Sequence, residues 1–353
     1  MCKFLTIIIP TYNMEKYLRK CLDSLVVSEE QLNSLEVLVV NDGSKDSSSA
    51  IGHEFENKYP QTFKVIDKDN GNYGSCINRG LKEATGKYVK VLDADDSFDN
   101  ESLQSFLEGL SFCQADLVIT DYDMVDENAQ VVKSFRCPFN RNVETHLDDI
   151  CTSQAFEGIS MHALAYNRSV FDNLNYHQTE GISYTDQEWI FLPMTNVKTV
   201  EYFPLVLYKY LVGREGQTMN LSVINKSLSH YYKIMNRRMD DLKARHLKVS
   251  TSLNAYLTHK SMLLSTFIYR AVLLRKVGEL EDLKLLDAKI AEVDQNLYNE
   301  LDNVKTKGPI GYRYIRYFHK HYSYAPSLVV WVYRKLYGLL KSGSEKHITK
   351  REK

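Results

Sequence analysis

Leu92-Asp93-Ala94-Asp95-Asp96 sets two carboxylates two positions apart, directly after the apolar run 88–92. On an extended segment alternate side chains point the same way. Asp93 and Asp95 can therefore offer hard oxygen ligands to one Mg2+ or Mn2+ ion. The same string also reads as an acidic turn in which Asp96 or Ser97 caps the following helix. A second acid, Asp42, stands in Val39-Val-Asn-Asp-Gly-Ser44. It either closes an Asx-type turn or accepts a hydrogen bond from a base N–H or a ribose hydroxyl. Thr11-Tyr12-Asn13, after Pro10, offers a flat ring for a nucleobase, or a turn whose Asn13 caps the next helix. Tyr184-Thr-Asp-Gln-Glu-Trp-Ile190 sets Asp186 among bulky apolar residues. Partial desolvation there would raise a carboxyl pKa toward general-base values, whereas a helix N-terminus would favour the charged form. Gly71-Asn72-Tyr73-Gly74 fits neither a dinucleotide fingerprint nor a P-loop and reads as a flexible turn.

These residues need elements that bring them together. Apolar, β-branched runs at 5–9, 37–40, 63–66, 88–92 and 117–120 predict strands. Between them, Leu18, Cys21, Leu22 and Leu25 follow helical spacing, and 47–58 and 76–84 also read as helices, the last stopped by Gly86. Strand and helix in alternation predict an α/β fold with a mainly parallel sheet and helices on both faces. In such sheets ligands bind beyond the carboxyl ends of the strands. Thr11–Asn13, Asn41–Gly43 and Asp93–Asp95 fall at three such ends. From about residue 222 long helical patterns take over, broken at Lys305-Thr-Lys-Gly-Pro, and the tail from Arg313 is basic and aromatic, with Trp331. The last dozen residues are polar and expected to fray.

The 353 residues carry a net charge of −1, so no global basic field draws nucleic acid. None of the six cysteines forms a C-x-x-C pair, and no histidine joins them at zinc spacing, so free thiols in a reducing, cytoplasmic setting are expected. The N-terminus is a poor signal peptide, and no stretch is apolar for long enough to span a bilayer. The basic aromatic tail predicts either contact with an anionic membrane surface or a helical cap or oligomer contact.

Taken in order, five segments resemble family 2 glycosyltransferases of the GT-A fold over about residues 4–220: Ile7-Ile-Ile-Pro-Thr-Tyr-Asn13, Val39-Val-Asn-Asp-Gly-Ser44, Asn78-Arg-Gly-Leu-Lys-Glu-Ala-Thr-Gly86, Val91-Leu-Asp-Ala-Asp-Asp96 and Tyr184-Thr-Asp-Gln-Glu188. The resemblance implies a catalytic domain over 1–220, with a nucleotide-sugar half (1–120) and an acceptor half (121–220), before a helical region at 221–353. It implies that Tyr12, flanked by Pro10 and Thr11, stacks on the base of a nucleotide-diphospho-sugar, and that Asp42 accepts from that base. Asp93 would hold the ribose or assist the metal, and Asp95 would bind Mn2+ or Mg2+. Asp186 would be the catalytic base of a single inverting displacement. Thr185 stands where the family often has Glu. Arg214-Glu-Gly-Gln-Thr218 resembles a segment that closes over the donor diphosphate, with Arg214 as a phosphate clamp. His162, Trp189 and Tyr184 are candidates for contact with a saccharide or lipid-linked saccharide acceptor, core packing being the stronger reading of each. Polysaccharide assembly at the inner face of the membrane would follow. Two rivals are a haloacid-dehalogenase-like phosphatase, whose nucleophile motif Val91–Ser97 also fits, and a non-catalytic sugar-nucleotide binding module.

Overall fold

The structure is a computed structural model that describes residues 3–172, 174–214, 227–245, 249–306 and 311–335. The expected phosphate-clamp segment beyond Arg214, the expected start of the helical region at 222, part of the break near 307–309 and the terminal dozen residues lie outside that set.

Among the described residues ten strands build one sheet: β1 (Leu5–Thr11), β2 (Leu35–Asn41), β3 (Phe63–Asp67), β4 (Tyr88–Val91), β5 (Ser97–Phe98), β6 (Leu117–Val125), β7 (Val131–Phe135), β8 (Glu144–His146), β9 (Leu164–Asn167) and β10 (Thr199–Leu211). Their order is β3-β2-β1-β4-β9-β6-β10-β5, with β7 beside β6 and β8 beside β10. The first four strands are parallel, as is the long β6–β10 pair, while β9 runs antiparallel between β4 and β6. β1 and β2 are buried almost throughout, which is why they read as continuous apolar runs rather than alternating ones.

Pro10 sits inside β1 without breaking it. Leu92 N–H donates to the Ile8 carbonyl, so even-numbered residues of β1 face β4. The last β1–β4 partners are Ile8 and Val91, so at Pro10 the neighbouring strand has already turned away and no ladder donor is needed.

Two expected helix caps are different in the structure. Asp99, not Asp96 or Ser97, caps the helix Asn100–Phe112 by accepting from Ser102 N–H at 3.1 Å. Ser97 belongs to β5, and Asp96 is occupied as described below. Asn13, with φ of +54°, caps no helix; its side chain accepts from Lys45 N–H at 2.8 Å, and its own N–H donates to Ser44 Oγ at 3.0 Å. The first two strand-end loops are thereby laced together.

The chain divides into two compact units, Met1–Gln217 with Val249–Tyr256, and Thr218–Lys248 with Leu257–Lys353. In the second, the helix Leu280–Val293 buries Leu283, Leu286, Asp287 and Ile290 at helical spacing. Asp287 accepts from the Tyr269 hydroxyl and pairs with His319 Nε2 at 2.9 Å, while His319 Nδ1 meets Asp302 at 2.8 Å. The Tyr298 ring stacks on the imidazole at 4.2 Å. Burial pulls the His319 pKa down, but the two carboxylates outweigh it and the net shift is upward from 6.5. A raised histidine pKa stabilises the fold fully below 6.5, and the contribution fades as pH rises through the folded value. The protection of amides in the helix Tyr314–His321, taken relative to their intrinsic exchange rates at each pH, is therefore expected to fall as pH rises above 6.5 through the folded pKa. His319→Gln should remove that dependence; an unchanged profile would refute the clasp. Among the described residues no helix is long and apolar enough to cross a membrane.

Candidate active site

Asp42 follows β2 directly and is 3% exposed. Its Oδ1 accepts from Lys68 Nζ and, at 2.9 Å, from Gly71 N–H; its Oδ2 accepts from Asn72 N–H at 2.9 Å. The carboxylate thus fastens the glycine-bearing loop, which the sequence presented as a flexible turn. Asn72, at φ of +66°, opens the helix Asn72–Glu83, four residues ahead of the expected start. That turn aims Tyr73 at the end of β4, where its hydroxyl donates to Asp93 Oδ1 at 2.7 Å. A continuous run of contacts therefore joins the β2 end to the β4 end. Tyr73 is the residue that reading the sequence missed; an aromatic directly after Gly-Asn at a helix start was the available signal.

The segment that carries Asp186 docks on the same helix. Gly181 N–H donates to the Gly71 carbonyl at 2.9 Å. Asn78 Nδ2 donates to the Gln178 carbonyl at 3.0 Å, and Gln178 N–H donates back to Asn78 Oδ1 at 2.7 Å. Glu188, itself buried, accepts from Thr179 N–H at 2.7 Å and Thr179 Oγ1 at 2.6 Å. Asp186 begins the short helix Asp186–Trp189 and is half-buried. Its charge acts on Tyr73, Asp93 and Tyr210, so it shares one electrostatic environment with the Asp93–Asp96 string.

Within that string the acids differ. Asp96 is buried and both oxygens are engaged: Tyr208 Oη donates to one at 2.6 Å and Leu211 N–H to the other at 2.7 Å. Burial first, then Asp95 and Asp93, push its pKa well up. Burial first, then Asp95, raise Asp93 to about 7 against the Tyr73 hydrogen bond and Arg214. Asp95 is paired with Arg214. Asp93, Asp96 and His162 bring ligand atoms within 4.8 Å of one another. Burial, then Lys90, hold His162 down at about 3, so its ring is neutral. Lys90, fully buried, donates to the carbonyls of His162 at 2.7 Å and Leu164 at 3.2 Å. His162 also stacks on Tyr210 at 4.4 Å. Crowded carboxylates of this kind suit a hard divalent cation, whose charge would relieve their repulsion.

Tyr12 is 47% exposed beside buried Thr11, free to present a ring face. Trp189 is 1% exposed, its ring stacked on Phe171 at 5.4 Å, so it packs the core. Tyr184 is half-buried with φ of +68°.

The sequence profile of Glycosyl transferase family 2 matches residues 6–174. Over that stretch the chain is similar to family 2 glycosyltransferases. That stretch contains β1 through β9 and the Asp42, Tyr73 and Asp93–Asp96 cluster. Among its relatives is glycosyltransferase GlyA of Streptococcus pneumoniae, 34% identical over 124 residues, covering 35% of this chain and 17% of that protein. Another is the poly(ribitol-phosphate) beta-N-acetylglucosaminyltransferase TarS of Staphylococcus aureus, 26% identical over 273 residues, covering 76% of this chain and 44% of TarS. The chain thus spans less than half the length of either. The fold matches the crystal structure of S. aureus TarS 1–349 in complex with UDP-GlcNAc at a TM-score of 0.66, with 19% identity, over 96% of this chain and 92% of that one. The GT-A fold expected from the sequence is the fold observed.

Proposed function

We propose that the chain transfers a sugar from a nucleotide diphosphate to an acceptor hydroxyl with inversion at the anomeric carbon. The observation that carries this reading is that Asp186, about ninety residues further along the chain, acts electrostatically on Asp93 and on the Tyr210 that Asp93, Asp95 and Asp96 also act on. Tyr12 would take the base on its exposed face. Asp42, whose oxygens already hold Lys68 and the loop at Gly71 and Asn72, would accept from a base N–H. Asp95, with Asp93 beside it, would hold Mn2+ or Mg2+, whose charge there would neutralise the departing diphosphate. Asp186 takes the acceptor's hydroxyl proton as that oxygen bonds to the anomeric carbon; the bond to the phosphate oxygen breaks and the nucleoside diphosphate leaves. Asn78 and Glu188 position Asp186 by fixing the segment in front of it.

A UDP-linked sugar is the first donor to test, because the TarS structure of like fold was solved with UDP-GlcNAc. A saccharide or lipid-linked saccharide in surface polysaccharide assembly is the acceptor class we favour, and the basic aromatic tail would suit an anionic membrane surface. The phosphatase rival has no support from the family match, and the intact Asp95 and Asp186 argue against a binding module without turnover.

A panel of nucleoside diphosphates with and without Mn2+ tests the reading by melting temperature. A ligand at a hundred times its Kd adds about 2.7 kcal/mol of stability, enough for a shift of several degrees. UDP with Mn2+ should give the largest shift. The same melting temperature for every nucleotide, with metal and without, would overturn the proposal.

A further inference from the structure

The Arg214 guanidinium is paired with the Asp95 carboxylate. Their side chains are only 14% and 11% exposed, so this is a desolvated pair and not a solvent-screened surface contact. The guanidinium also lies over the Tyr17 ring, 5.5 Å from its centroid, a second anchor for the cation. Negative charge is dense around it: Asp95 and Asp186 both act on Asp93, and Asp95 and Asp93 both act on Asp96. The backbone beside the arginine has a conformation that favours glycine. Gly213 has φ of +89°, and a Cβ placed there would meet no heavy atom within 4 Å. Only glycine adopts that conformation readily.

We propose that Arg214 is the resident counter-ion of Asp95, that a divalent cation competes with it for this carboxylate, and that metal entry releases the arginine onto an anionic ligand such as the donor's diphosphate. The inference rests on the reading of Asp95 as a metal-binding carboxylate given above. A divalent ion and a guanidinium at one carboxylate repel each other at short range in a poorly solvated site. A phosphate satisfies the planar guanidinium fork as well as a carboxylate does, so the displaced side chain has an equivalent partner once the nucleotide is present. Metal and nucleotide then favour each other's binding, and Arg214 sets how much metal the nucleotide-free protein takes up.

The test is a Mn2+ titration of the nucleotide-free full chain, read by the electron paramagnetic resonance signal of free Mn2+, with circular dichroism to verify folding. Arg214→Gln is expected to bind Mn2+ about tenfold more tightly than the unaltered chain, and UDP in the presence of Mn2+ about tenfold more weakly. In an Asp95→Asn background the Arg214→Gln change should move Mn2+ affinity by less than about twofold, because the shared carboxylate is gone. If the unaltered chain binds Mn2+ and Arg214→Gln leaves that affinity the same or weaker, the competition is refuted and the metal site stands. If neither protein takes up Mn2+, the metal-site reading fails and this inference with it.

Discussion

Asp186→Asn is expected to lower sugar transfer by about a thousandfold and to leave nucleotide affinity within about twofold, the pattern that follows if Asp186 is the general base proposed above. The substitution keeps the shape of the side chain and removes its ability to take a proton. Asp186 also contributes negative charge next to Asp93 and Tyr73, and losing it relieves repulsion there, so donor binding has no reason to weaken. Steady-state kinetics with a UDP-sugar, alongside calorimetry with UDP, separate the two effects. A variant that turns over normally but binds UDP poorly would assign Asp186 to the donor and not to the acceptor proton.

Gly74→Ala, distant from any proton transfer, is expected to have the second largest effect, about tenfold smaller. A Cβ at this position would stand 2.4 Å from the Thr179 carbonyl oxygen and 3.1 Å from its carbon. Both are backbone atoms, so no rotamer change relieves the clash; the segment 178–181 must move off the helix Asn72–Glu83. That segment is tied to Asn78, Gly71 and Glu188, and it leads into Asp186. Overpacking of this kind costs about 1–3 kcal/mol of stability. A displacement of about 1 Å at a reacting group costs about a hundredfold in rate. Turnover should therefore fall about a hundredfold, with a melting temperature lower by several degrees and smaller changes in nucleotide affinity. Full activity in Gly74→Ala would mean that the docking of this segment does not position Asp186.

Much of the nucleotide half was legible before the fold was known. The strands at 5–9, 37–40, 63–66 and 88–92 appear within two residues of their expected limits, because runs of Ile, Val and Leu bounded by turn residues leave few alternatives. The helix Asn72–Glu83 starts earlier than read: its first residue, Asn72, has a positive φ that propensity does not anticipate, and its N–H is held by Asp42 from the end of β2. Asp96 and Asn13 had local capping roles to hand and took distant partners instead: Tyr208 and Leu211 for Asp96, Lys45 and Ser44 for Asn13.

By itself the sequence determined the elements and the polar clusters at their ends, because apolar periodicity and turn chemistry act over a few neighbouring residues. Only the tertiary structure decided which acids share a site and which cations answer them. Asp95 and Arg214 are 119 positions apart, as Asp93 and Tyr73 are 20, and such pairs are chosen by strand order and backbone register. Those long-range contacts leave no local period to read. They exist because buried carboxylates must find donors, and the folded chain supplies whichever ones its topology brings within reach.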